Sequence, residues 1–178
     1  IFKHHPIFET KTLNPSKPEP GIILNPKSTI EGGDFQVARE DVFVIGTGVR
    51  TSTQGIDFII ENIKQLKTEP HHIIIQELPS TPESFIHLDM VFTLLDKDKC
   101  MIYEPLIINA TKYLTIHIAV DNGKVVSIKE EKNIISALTK LGMELQPVVC
   151  GGKHDQIIME REQWQSGANF FTLEPGKV

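Results

Sequence analysis

Cysteine is scarce: Cys100 and Cys150 are the only two among 178 residues, and neither sits in a Cys-x-x-Cys or Cys/His spacing. That excludes a disulfide framework and fits a reducing, cytoplasmic setting. Long apolar runs are missing too, so no stretch offers the roughly 20 residues a membrane-spanning helix needs. The opening Ile1-Phe2-Lys3-His4-His5-Pro6 has neither the apolar core nor the cleavage site of a signal peptide, and it starts without Met, so the chain need not begin where its gene does. Nor is there an excess of basic charge. The formal net charge is -5, with Lys and Arg scattered rather than gathered into a stripe, so neither a nucleic-acid nor a membrane partner is expected. What is present is the mix of an ordinary globular protein, 40% hydrophobic and 23% charged, in a chain long enough to bury one core.

Prolines gather early, in Asn14-Pro15-Ser16-Lys17-Pro18-Glu19-Pro20-Gly21, and deny any ladder its N–H groups, so residues 1–28 read as a loop-rich lead-in. A pattern then repeats. Phe35 to Val37 and Val42 to Ile45 are β-rich runs around the polar Arg39-Glu40-Asp41, which predicts a hairpin. Ile56, Ile59, Ile60, Ile63 and Leu66 recur at three and four behind the possible caps Thr51, Ser52 and Thr53, which predicts a helix. His72 to Leu78 reads as a buried strand. From residue 87 the order returns: a strand over Asp89 to Leu95, a turn, and its partner over Cys100 to Tyr103. A ribbon around Asp121-Asn122-Gly123-Lys124 follows, then a helix from about Glu131 to Leu141 stopped by Gly142, and a strand over Met143 to Cys150. A third unit opens at Ala168 to Leu173 and reaches the turn Glu174-Pro175-Gly176-Lys177. The units are therefore 29–78, 87–150 and the start of a third at 160–178. A ββαβ unit repeated with a polar residue at each mouth (Asp34, Asp89, Asn169) suggests radial repetition as in a propeller; the alternative is an α+β sandwich.

Three short stretches could carry chemistry. Thr29-Ile30-Glu31-Gly32-Gly33-Asp34 sets two carboxylates around a glycine pair, which could bind a cation or be a polar turn with solvated acids. His87-Leu88-Asp89 precedes an apolar run. Strand alternation would place His87 and Asp89 on one side, where the acid could hold an imidazole for proton transfer, although such a pair is more often structural. In Gly46-Thr47-Gly48-Val49-Arg50-Thr51-Ser52, Arg50 follows a glycine loop and could clamp a carboxylate with two parallel hydrogen bonds, or be a surface arginine. His4-His5 and His71-His72 lack acidic or cysteine partners at ligand spacing, so no metal site is inferred. Trp164 reads as a helix residue packing against a neighbouring unit.

Together, in this order and spacing, Ile-Glu-Gly-Gly-Asp, Gly-x-x-Arg-Thr-Ser before a helix and His-Leu-Asp-Met before a strand resemble arginine deiminases and their amidinotransferase relatives. Ile1 to Pro6, Arg161-Glu162-Gln163-Trp164, and Ser166-Gly167-Ala168-Asn169 leading to Pro175-Gly176-Lys177-Val178 agree, so the resemblance covers nearly the whole chain. It implies a pentein fold, a five-bladed α/β propeller of which this chain would supply about two units and a part. It implies that Glu31 and Asp89 pair with a substrate guanidinium with Asp34 close by, that His87 transfers protons, and that Arg50 binds the α-carboxylate of arginine or a close analogue. In such enzymes a cysteine thiolate attacks the guanidinium carbon, ammonia leaves, and water releases the ureido product, with no metal or organic cofactor.

The resemblance also has gaps. The family's nucleophile lies in an Arg-Cys-Met loop beyond the Pro-Gly-Lys-Val stretch, where this sequence ends, and a further aspartate and arginine belong upstream of Ile1. Lys99-Cys100-Met101 imitates the loop but falls in a strand, and Cys150 reads as a packed thiol. The chain is thus expected to be an internal piece that works with the rest of its own fold, on a second chain or in missing segments, or as a homo-oligomer. The reactions left open are hydrolysis to citrulline and ammonia, passage of the amidino group to an amine, or guanidino binding without turnover.

Overall fold

The computed structural model describes residues 28–66, 69–109 and 112–178, so the proline-rich lead-in and His4-His5 lie outside the described residues. The first hairpin pairs β1 (Phe35–Arg39) with β2 (Val42–Thr47), antiparallel with Phe35 opposite Ile45. Helix α1 (Thr53–Leu66) then crosses to β3 (His71–Glu77), which runs parallel to β2 with Ile45 opposite Ile75. Of the three candidate caps, Ser52 does the work: its Oγ accepts the Gly55 amide at 3.1 Å. The predicted apolar stripe packs down on the sheet, with Ile56, Ile60 and Ile63 against Ile45, Ile73 and Ile118. Each such buried side chain contributes roughly 1.5–3 kcal/mol.

The same order recurs in β4 (Phe92–Asp96), β5 (Lys99–Ile102), a short α2 (Glu104–Ile107), α3 (Ile134–Lys140) and β8 (Gln146–Val149). β4 and β5 are antiparallel, β5 and β8 parallel, as β1, β2 and β3 are. The ribbon predicted near Asn122 forms as β6 (Thr115–Asp121) and β7 (Lys124–Glu131), with Asn122 and Gly123 both at positive φ. It does not stay with the second sheet. β6 pairs with β3, so the first sheet runs β1-β2-β3-β6-β7 and the second β4-β5-β8.

Several boundaries differ from the sequence reading; the strand expected over Met143 to Cys150 is confined to Gln146–Val149. The strand expected from Asp89 starts at Phe92, because Leu88–Met90 closes a 3-10 turn in which the Met90 amide bonds the His87 carbonyl. The helix expected from Glu131 starts at Ile134, because Asn133 and Ser136 form a reciprocal capping box and Glu131 is still in β7. Residues 168–173 form no strand. Instead the segment lies along the outer side of β4, with Thr172 Oγ1 donating to the Leu94 carbonyl at 2.7 Å and the Gly176 amide to that of Leu95 at 2.9 Å. Helix α4 (Gln156–Trp164), capped by Asp155, buries Met159 and Gln163 and leaves Trp164 62% exposed.

Between the two sheets sits the larger core, where Val42, Val44 and Ile74 of the first meet Phe92, Cys100 and Ile102 of the second and Ile134, Ala137 and Leu138 of α3. The class is mixed α/β. Among the described residues no helix is long and apolar enough to cross a membrane.

Candidate functional site

All five residues singled out in the sequence come from three segments that meet at one end of this core. Glu31 precedes the 3-10 turn Gly32–Asp34, whose Asp34 amide bonds the Glu31 carbonyl at 3.1 Å. Two glycines make the approach possible. A Cβ at position 33 would stand 2.8 Å from both Asp89 Oδ2 and His87 Nδ1, and one at position 46 would stand 2.5 Å from Asp34 Oδ1. His87 and Asp89 are thus brought together over Gly33 by a turn and not by strand alternation; Leu88 between them is buried and its amide donates to Asp34 Oδ1 at 2.8 Å. Two-residue spacing gave the right neighbours for the wrong geometrical reason.

His87 Nε2 stands 2.6 Å from Glu31 Oε2, and the Arg50 guanidinium reaches Glu31 Oε1 at 3.5 Å. Glu31 is held below the usual carboxylate range, chiefly by its hydrogen bond to His87 and then by Arg50. Asp34 and Asp89 behave oppositely. Burial pushes both above the usual range, and their mutual repulsion adds to the rise at Asp89. Among the described residues, Asp34 Oδ2 and Asp89 Oδ1 are buried side-chain oxygens with no hydrogen-bond partner. Buried polar groups are normally satisfied, and leaving one unpaired costs about 1–3 kcal/mol, so two orphaned acceptors in one corner point to a donor-rich ligand. The cluster can therefore do three things: accept hydrogen bonds from a planar cation, shuttle a proton through His87, and hold an anionic group at the half-exposed Arg50.

Some residues that hold this geometry were not singled out in the sequence. Gln163 is buried in α4 and donates to the Ser84 carbonyl at 2.7 Å and the Met90 carbonyl at 3.3 Å, clamping both ends of the loop that carries His87 and Asp89. Its place in Arg-Glu-Gln-Trp was the available signal, but a glutamine in a helix does not announce a tertiary partner. Thr51 is fully buried and its Oγ1 accepts the Glu31 amide at 3.1 Å. Asn169, read in the sequence as the polar mouth of the third unit, lowers the Asp89 carboxyl against burial and lines, with Gly32, Gly33 and Asp89, a cleft of about 480 Å³ beside the cluster. A larger, mainly apolar cleft of about 610 Å³ between α1 and β6 touches none of the five.

Neither cysteine behaves as a nucleophile. Cys100 is fully buried in β5 and burial pushes its thiol up to about 12; Cys150 is also buried and raised, by burial first and then by Glu162. Among the described residues no group of three or more His, Cys, Asp or Glu is arranged to hold a metal ion.

A family model described as arginine deiminase matches residues 1–178. Curated relatives include an arginine deiminase 1 of Staphylococcus epidermidis, 33% identical, an arginine deiminase of Bacillus cereus, 33% identical, and one of Listeria monocytogenes, 30% identical. Each alignment takes in 100% of this chain but only 43%, 42% and 42% of the respective relative, so the chain spans less than half the length of the relatives it matches.

Proposed function

The chain belongs to the arginine deiminase family, and from that premise we propose that its protein hydrolyses the guanidinium of L-arginine, or of a close analogue, to citrulline and ammonia. The observation that carries the reading is the pair of orphaned buried oxygens on Asp34 and Asp89 beside the Glu31–His87 contact. A guanidinium presents five N–H donors in a flat fork and a full positive charge, which matches acceptors that lack donors.

Glu31 and Asp89 grip the guanidinium and polarise its carbon, Asp34 adds negative charge behind them, and Arg50 pairs with the α-carboxylate, which disfavours a carboxylate-free substrate. A cysteine thiolate then adds to the carbon. His87 gives the leaving nitrogen its proton so that ammonia departs, and afterwards takes one from the water that displaces the sulfur. Arginine and water are consumed, citrulline and ammonia appear, and the thiolate is regenerated. No metal or organic cofactor takes part in this scheme.

Because Cys100 and Cys150 are buried, the thiolate comes from outside these residues. The remaining blades of a pentein-type propeller are the partner that completes the site. Phe171, Leu173 and Ile128, between 65% and 83% exposed, are apolar positions such a partner would cover. A stably monomeric chain by light scattering would argue against that completion. Calorimetric titration of the chain with L-arginine tests the binding half; absence of heat above that of a glycine control sinks it. In the complete protein the product decides the chemistry: citrulline with ammonia marks the hydrolase, ornithine with a new guanidine marks amidino transfer, and neither marks a binding protein.

A further inference from the structure

We propose that Thr51 is a positioning residue for this site: its hydroxyl takes the Glu31 amide, while its carbonyl ties down the glycine loop that presents Arg50. The inference rests on the functional reading above and extends it to a residue without any expected substrate contact.

Position is the first ground. Thr51 follows Arg50, whose side chain is 49% exposed, yet Thr51 itself is 0% exposed, so the chain turns inward at this residue. Helix capping does not explain the burial, because Ser52 caps α1 and also accepts the Thr29 amide at 3.0 Å. The hydroxyl inventory is the second ground. A threonine offers one O–H donor and two acceptor lone pairs. The Glu31 amide fills one lone pair at 3.1 Å, and the Thr51 side chain lowers the Asp34 carboxyl against the larger rise from burial. The third is the backbone: the Thr51 carbonyl accepts the Gly48 amide at 3.0 Å and the Thr47 hydroxyl at 3.1 Å. One residue thus joins the Glu31–Asp34 turn to the Arg50 loop. Valine would keep the shape, strip the acceptor from the Glu31 amide and remove the hydroxyl that lowers the Asp34 carboxyl.

The charged groups that bear on Asp34 are Glu31 and His87, with Asp89 repelled by it in turn and Arg50 bonded to Glu31. The test reads Asp34 directly, by carbon-13 carboxylate NMR across a pH titration of the wild-type chain, Thr51→Val and Thr51→Ser, with L-arginine binding measured on the same samples. Thr51→Val is expected to raise the Asp34 midpoint above wild type and to weaken arginine binding about tenfold, and Thr51→Ser to restore both. A role in packing alone would lower the melting temperature and leave the midpoint in place; that result, or a serine variant that restores nothing, overturns the proposal. Should the valine variant not fold, amide exchange in the wild type decides: a Glu31 amide exchanging at the rate of an open chain overturns it, and a protected one supports it. A wild-type chain that binds no arginine defeats the functional reading, whereas the carboxylate titration still judges Thr51 by itself.

Discussion

Glu31 and His87 meet at 2.6 Å at one end of the core, and on the first sheet His117 stands 3.8 Å from Glu131. Both clusters join an imidazole to a glutamate, but their surroundings differ. In the sheet, His72 Nδ1 and His117 Nε2 are 3.0 Å apart, Glu131 is 3% exposed, and Lys140 donates to its second oxygen, so each side chain of the cluster has a partner in the protein. At the other cluster Glu31 is 42% exposed and two neighbouring carboxylates keep buried oxygens without donors. A histidine beside an acid is therefore not itself the mark of a functional site. Satisfaction of the hydrogen-bonding groups separates a closed structural network from one built to receive something.

The largest expected effect bears on that distinction. Asp89→Asn, which replaces an orphaned acceptor by a donor and removes a charge, should weaken L-arginine binding about hundredfold, whereas His117→Phe should leave it within about twofold. Calorimetry on both variants checks this, and equal losses would erase the contrast between the clusters. Stability should respond in reverse. Glu131→Ala should cost about 2 kcal/mol in urea unfolding, less than a fully enclosed ion pair because Lys140 is 65% exposed. Glu31→Ala should lower the urea midpoint by less than Glu131→Ala, because Glu31 is partly exposed and its pairing is screened. If Glu131→Ala proves silent, the sheet cluster is not the structural network described.

How much of this contrast was legible in the sequence depends on how local each signal was. Hairpins and the α1 stripe follow from periods of two and of three and four, and both are written in adjacent residues. Glu31, Asp34, Arg50, His87 and Asp89 were readable because each stands in a short motif. Thr51 and Gln163 were not, since burial of the first and the clamp of the second on Ser84 and Met90 arise only when distant segments meet. The destination of the β6–β7 ribbon was illegible for the same reason: a hairpin's sequence sets its own register but not the strand it joins. His72 was seen, but its partner His117 is 45 residues away.

Acid should separate the two clusters further. Burial holds His72 and His117 below the ordinary histidine value, so between that value, about 6.5, and their folded values the unfolded chain binds more protons. Their contribution to stability is complete above about pH 6.5 and is lost as pH falls. Asp34 and Asp89 are raised, so theirs is complete below the ordinary aspartate value of about 3.9 and is lost as pH rises through the folded values. Urea midpoints from pH 7 to 5 should therefore fall in the wild type and flatten in His117→Phe. At pH 7, Asp34→Asn should raise the midpoint while lowering arginine affinity, the trade expected where a site is kept strained for its ligand. A midpoint lowered by Asp34→Asn would mean that the buried carboxylate is part of the framework and not of the site.

Lys140→Met should have the smallest effect and isolates how the sheet cluster is held. Lys140 is mostly exposed, so its attraction to Glu131 is screened and its loss should cost below about 1 kcal/mol. Its charge also helps to depress His117, after burial, His72 and Lys129. Removing it lets the His117 value rise toward that of the unfolded chain, narrows the gap between the two states, and should make the loss of stability between pH 7 and 5 shallower than in the wild type. Urea unfolding at the two pH values measures both numbers. Should Lys140→Met cost as much as Glu131→Ala, the glutamate depends on the lysine and not on the paired histidines, and the sheet cluster is an exposed-rim ion pair; if the acid loss is also unchanged, His117 does not sense that charge at all.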